Sequence, residues 1–169
     1  MVKRITAVKF TKLHVVMDSP MAARRHPPLA EVRMEIHVEH LGGFQLEIKA
    51  RQHTIAGDQP VENGGFDEGM TPPELLLASL GSCAGFYAAQ YLRKHKLAEE
   101  GTIVRVTADK AKDPARLDNF RIALEVPGEL SPLDLRGVEE AVHHCLIHNT
   151  LLHPPSIFIE VKAVESVLT

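Results

Sequence analysis

From Glu31 to Glu39, EVRMEIHVE, apolar and polar residues alternate strictly, with Val32, Met34, Ile36 and Val38 on one side and charged residues or His37 on the other. A period of two is the signature of a half-buried strand. FQLEIK repeats the alternation with Phe44, Leu46 and Ile48, and Gly42-Gly43 between the two runs predicts a tight hairpin turn. Arg51 to Ala56 reads as a weaker third strand. The same period returns in IVRVTADK, FRIALEV and, near the end, SIFIEVKAV.

Two segments break this rhythm. In TPPELLLASLGSCAGFYAAQYL, Thr71 to Leu92, a Thr precedes two prolines and a Glu stands three positions on, which predicts a capped helix start. Between Glu74 and Arg93 lie eighteen residues without a formal charge. That length reaches the lower bound for a membrane span, but eight of the eighteen are Ala, Gly or Ser, and Gln90 is among them. A central core helix is therefore expected. At 100° per residue, Ala78, Gly81, Ser82, Gly85 and Ala89 form a smooth stripe suited to close approach by another helix. Leu76, Leu80, Cys83, Tyr87 and Tyr91 form a bulky opposite face.

The second segment, SPLDLRGVEEAVHHCLIHN, predicts one helix, capped by Ser131 and Asp134, with Pro132 at its first position and Pro154-Pro155 as the break beyond it. Its apolar stripe is Leu135, Val138, Val142, Cys145 and Leu146. Strands, long helix, two strands, helix and strand in that order give an α+β class rather than a doubly wound sheet.

At 169 residues the chain fits one domain: an N-terminal extension and loop over 1–30, strands over 31–70, the central helix over 71–96, and a ββαβ half over 102–169. Met17 to Ala30 carries three prolines and no periodicity, a loop. A formal charge of -3 supplies no concentrated basic surface, so neither nucleic acid nor membrane is an expected partner. The N-terminus lacks the apolar core of a secretory signal, because Lys9 and Lys12 interrupt it, and a cytoplasmic location is expected. No P-loop or GxGxxG is present, and no cofactor is expected.

Two cysteines in a reducing compartment point to inert packing, metal binding or redox chemistry rather than to a structural disulfide. Cys83 and Cys145 each face the core from their own helix, which permits contact, and free cysteine is also among the most commonly buried residues. GSCAG, Gly81 to Gly85, matches a nucleophile elbow with Cys for Ser, but that motif needs a strand before the nucleophile where a capped helix runs here. His144, Cys145 and His148 make a partial zinc pattern without a convincing fourth ligand.

The run GGFDEGMTPPELLLASLGSC, followed later by HHCLIHNTL, resembles the OsmC/Ohr family of osmotically induced and organic hydroperoxide resistance proteins. The resemblance covers about Arg51 to Leu152. It implies antiparallel strands wrapped around a buried central Cys-bearing helix and a second Cys-bearing helix, in an intertwined homodimer. It also implies a thiol peroxidase acting on organic hydroperoxides, with Cys83 as the attacking thiol, Cys145 as the resolving thiol, and a dithiol or lipoylated protein as reductant. Catalytic members pair the thiol with an Arg from the N-terminal half and a Glu ten residues before the Cys. Position ten here is Pro73, and Glu74, the nearest carboxylate, lies about 14 Å from Cys83 on the opposite face of a straight helix. Arg24, Arg25, Arg33 and Arg51 are available in that half. A non-catalytic redox sensor or small-molecule binding protein is the alternative reading.

Overall fold

The computed structural model describes residues 34–163, nearly all of them in the unit Ile36–Thr169. The expected N-terminal extension and the first residues of the expected first strand lie outside the described residues.

Strands β1 (His37–Gly42), β2 (Gln45–Ala50) and β3 (His53–Gly57) form an antiparallel meander. Gly42 and Gly43 both take positive φ at the first turn, as the glycine pair predicts. The register sets Val38 opposite Ile48 and Ile48 opposite Ile55, so the alternating apolar positions form one row across the sheet. The third strand starts two residues later than expected. Arg51 and Gln52 form the β2–β3 turn, with Arg51 at φ 55, and pairing begins at Ala50 with His53.

After β3 the chain makes a tight loop through a single 3-10 turn, Val61–Asn63, and returns so that Met70 bridges Gly57. Asp58 organises it. Its carboxylate, 1% exposed, accepts the N–H of Gln59 at 2.8 Å, of Phe66 at 3.0 Å and of Glu68 at 3.2 Å. Gly65 has to be glycine, because a Cβ there would fall 1.9 Å from the Gln59 carbonyl oxygen. Desolvation works to raise the Asp58 carboxyl, yet the N–H groups of Gln59, Glu68, Phe66 and Asp67 outweigh it and hold the group below its usual value. A depressed folded value stabilises the fold above the unfolded value and is lost as pH falls through the folded one. Asp58→Asn should lower the melting temperature at pH 7 by roughly 5–10 °C. The gap between variant and wild type should close as pH falls below about 4. Thermal melts followed by circular dichroism would show it; a gap unchanged with acid would mean the ionised carboxylate is not what holds the loop.

The loop delivers the chain to α1 (Pro72–Lys94), whose capping box is complete: the Glu74 N–H donates to Thr71 Oγ1 and the Thr71 N–H donates to the Glu74 carboxylate at 2.8 Å. β4 (Ile103–Lys112) and β5 (Ala115–Glu125) then pair as a long antiparallel hairpin. α2 (Pro132–His143) follows with its own capping box from Ser131 and Asp134.

The core lies where α1 meets α2 and the hairpin. Leu80, Ala84, Ala88 and Leu92, each four residues on, form the buried line of α1, and Ala84, Ala88 and Leu92 pack with Val138 and Val142. Val104, Ile122 and Leu124 close the other side. The smooth stripe of α1 is used differently from expectation: Gly81 and Gly85 admit the strand β4, not a helix, with Val106 and Val104 against them. The close helix contact is made instead at Gly137 of α2, where the Tyr91 ring occupies the space a Cβ would need.

Two further expectations are corrected. The second helix is not continuous: α2 stops at His143, and a short helix α3 (Leu146–Leu152) starts anew after Cys145. Cys145 thus sits at the joint, with φ -57 and ψ 123, rather than on a helix. The periodicity crosses the break because Val138, Val142 and Leu146 keep helical spacing, while the thiol itself takes the role of a cap. SIFIEVKAV does not form a strand among the described residues, none of which pairs with it, and Ile157 and Phe158 are 83% and 92% exposed.

Candidate thiol site

Cys83 lies midway along α1 and is half-buried; Cys145 is 0% exposed. Both are free thiols, and the structure brings them together across the α1–α3 contact. The Cys145 sulfur accepts the His148 N–H at 3.3 Å, the bond that starts α3. Burial pushes the Cys145 thiol above its ordinary value and the adjacent Cys83 thiol adds to this, while the N–H groups of His148 and Ile147 offset part of it.

The surroundings of Cys83 divide in two. Inward stand Leu80, fully buried, and Tyr87, half-buried; outward stand Leu76 and Phe86, both exposed. The Phe86 and Tyr87 rings meet edge to face at 5.4 Å. Tyr91, expected beside the thiol, is two turns along the helix and otherwise engaged: it stacks on His95 at 4.1 Å and its hydroxyl donates to Asp134 at 3.5 Å. A cleft of about 250 Å³ between α1 and β4, lined by Leu77, Ala78, Gly81, Ser82, Val104 and Val106, includes neither cysteine.

Of the charged residues weighed for the thiol, Glu74 is committed to the helix cap. The N–H of Thr71 and then its hydroxyl hold the carboxyl below its usual value, with the Lys110 charge helping. Arg51 is exposed at the β2–β3 turn, and Arg24, Arg25 and Arg33 lie outside the described residues. Among the described residues no three of His, Cys, Asp and Glu gather as a metal site. His148, which the sequence offers only as a zinc ligand, donates its backbone N–H to the Cys145 sulfur within hydrogen-bond distance. The spacing Cys-x-x-His is the signal for this contact once a helix is known to start at Cys145.

Residues 65–160 match the family model described as OsmC-like protein. Among solved structures, the chain is similar to a protein from Psychrobacter arcticus described as an osmotic stress induced and detoxification response protein, with 26% identity, a TM-score of 0.65, and coverage of 72% of this chain and 91% of that one. It is also similar to an OsmC-like protein from Mycoplasma pneumoniae, with 17% identity, a TM-score of 0.64, and coverage of 75% and 91%. An organic hydroperoxide resistance protein OsmC from Legionella pneumophila shares the fold at 16% identity and a TM-score of 0.54, over 73% of this chain and 91% of that one. No curated protein matches the chain significantly.

Proposed function

Because the chain belongs to the OsmC-like protein family, we propose that it is a thiol-dependent peroxidase that reduces organic hydroperoxides, with Cys83 as the attacking thiol and Cys145 as the resolving one. The observation that carries the reading is the meeting of one half-buried and one fully buried free thiol. A redox pair needs both properties: the attacking sulfur has to be reached by substrate, and the resolving sulfur has to wait beside it, protected. The Cys83 thiolate attacks one peroxide oxygen, the O–O bond breaks, and the other oxygen leaves as the alcohol after taking a proton. Cys83 is then a sulfenic acid. Cys145 condenses with it, water leaves, and a disulfide joins the two. An external dithiol returns both cysteines to thiols by exchange and leaves as its own disulfide; a lipoylated protein is the reductant class proposed. Two free cysteines suit a reducing, cytoplasmic setting.

The working unit in this proposal is an intertwined homodimer. Among the described residues, β1, β2 and β3 make their main contacts with one another, and the row bearing Val38 and Ile55 is left exposed. The outward side of α1 beside Cys83 is apolar and uncovered in the same way.

The test is direct. One equivalent of cumene hydroperoxide should convert the two free thiols of each chain into a Cys83 to Cys145 disulfide, read by thiol counting and peptide mapping. With a dithiol present, cumene or tert-butyl hydroperoxide should turn over at least about tenfold more efficiently than hydrogen peroxide. An organic group burying some 60 Å² against Leu80, Tyr87 and Phe86 gains on the order of 1.5 kcal/mol. Equal efficiency for the two peroxides would remove the apolar approach from the mechanism.

A second reading, a redox sensor or small-molecule binding protein without turnover, is favoured by one observation: the Glu74 carboxylate is occupied by its cap and not by the thiol. Disulfide formation without sustained turnover would select it.

A further inference from the structure

We propose that the external dithiol attacks the oxidised protein at the Cys83 sulfur, the same atom that meets the peroxide, and that Cys145 leaves without touching any outside molecule. The proposal rests on the thiol pair described above, and access decides which end of its disulfide is opened. Exchange requires the incoming thiolate to touch the sulfur that it attacks. Cys145 is 0% exposed, and a second copy of the chain can only cover it further. Cys83 is half-buried midway along α1, with Leu76 and Phe86 exposed on its outward side. Any path that brings an organic peroxide to Cys83 also brings a slender thiol there.

Leaving-group strength works the other way and is the weaker influence. Burial holds the Cys145 thiol above its ordinary value, and the adjacent Cys83 adds to this, which makes Cys145 a poorer leaving group than an ordinary cysteine. Each unit of leaving-group pKa changes an exchange rate by less than about tenfold. Waiting for the fold to expose a buried sulfur costs more, since an opening populated at about 0.1% slows attack roughly a thousandfold. The N–H of His148, 3.3 Å from the Cys145 sulfur, and that of Ile147 also meet the departing charge. The exchange balances. A thiolate of the dithiol bonds to the Cys83 sulfur, the S–S bond breaks, and its electron pair passes to Cys145, which takes up a proton. The second thiolate of the reductant then attacks the first, the bond to Cys83 breaks, and Cys83 takes the second electron pair and proton. Two electrons and two protons pass to the protein, and the dithiol becomes a disulfide. Hydroxide leaves less readily than a thiolate, so the same reductant resets the Cys83 sulfenic acid of Cys145→Ser more slowly than the disulfide of the wild type.

The test makes the disulfide without peroxide. Wild-type protein is oxidised with diamide, exposed briefly to 2-mercaptoethanol near neutral pH, quenched with acid, and mapped by mass spectrometry after the released thiol is alkylated. A monothiol has no second arm, so the quench leaves it on the sulfur that it attacked. The adduct should sit on Cys83, with Cys145 alkylated, in at least about tenfold excess over the reverse pattern. Reduction by dithiothreitol should also change by less than about twofold as urea is raised to about 1 M, because attack at Cys83 needs no opening of the fold. An adduct on Cys145, equal amounts on the two cysteines, or a rate that climbs steeply with urea overturns the proposal. Failure of diamide to join the two cysteines overturns it together with the thiol pair. An adduct on Cys83 in a protein that cumene hydroperoxide does not oxidise supports it and overturns the peroxidase reading alone.

Discussion

Cys83→Ser is expected to reduce hydroperoxide turnover by at least about a thousandfold, because a serine hydroxyl remains un-ionised at neutral pH and offers no thiolate to the O–O bond. Cys145→Ser is expected to behave differently. It keeps the first attack, so one equivalent of alcohol forms in a burst, and then stalls with Cys83 as a sulfenic acid, which a dimedone-type probe traps. The asymmetry follows from burial. Cys83 is half-buried beside the open side of α1, whereas Cys145 has no exposed surface and its thiol is held above its ordinary value. In the proposed mechanism peroxide therefore meets Cys83 first. If Cys83→Ser retained turnover while Cys145→Ser lost the burst, the roles would be reversed. If Cys145→Ser sustained full turnover with a dithiol, Cys83 would be reset by the reductant directly and the pair would not form the catalytic disulfide.

Much of this arrangement is legible in the chain. Alternation at Val38, Leu46 and Ile48, the glycine pair of the first turn, and the Thr71 and Ser131 capping boxes are local signals, and the structure uses each where the residues place it. The errors arise where a tertiary partner decides. Gly81 and Gly85 advertise close approach, but spacing does not say whether a helix or a strand comes near, and it is β4 that does. Helical spacing through Val138, Val142 and Leu146 hides the break at Cys145, since no Gly or Pro marks it and the capping atom is a sulfur. Tyr91 fits the thiol face by angle alone and is drawn away by the space over Gly137. Asp58 gives no sequence warning either: a lone Asp in a glycine-rich stretch reads as a solvated turn until the folded loop turns its N–H groups inward.

Phe86→Asp is expected to destroy the dimer, weakening it by at least about a thousandfold, or roughly 4 kcal/mol. Phe86 is 57% exposed in its own chain, beside Cys83 on the uncovered side of α1. An Asp there disturbs little of the chain's own packing, because surface changes away from buried contacts typically move stability by no more than about 0.5 kcal/mol. In a dimer that closes over this side of α1, the same carboxylate is taken out of water without a partner, at a cost of several kcal/mol. The chain has further apolar surface to cover: the row bearing Val38 and Ile55 on the N-terminal sheet, and the C-terminal run with Ile157 and Phe158, whose alternating pattern suits a strand that finds its pairing edge in a second copy. Each large side chain buried there contributes about 1.5–3 kcal/mol. Obligate homodimers bury roughly 2,000 Å² or more by such means. The wild type should therefore sediment only as a dimer at micromolar concentration, while Phe86→Asp loses that species and, with its remaining apolar rows uncovered, aggregates on warming. A stable, folded wild-type monomer, or an undiminished dimer in the variant, would show that the open side of α1 is not where the two copies meet.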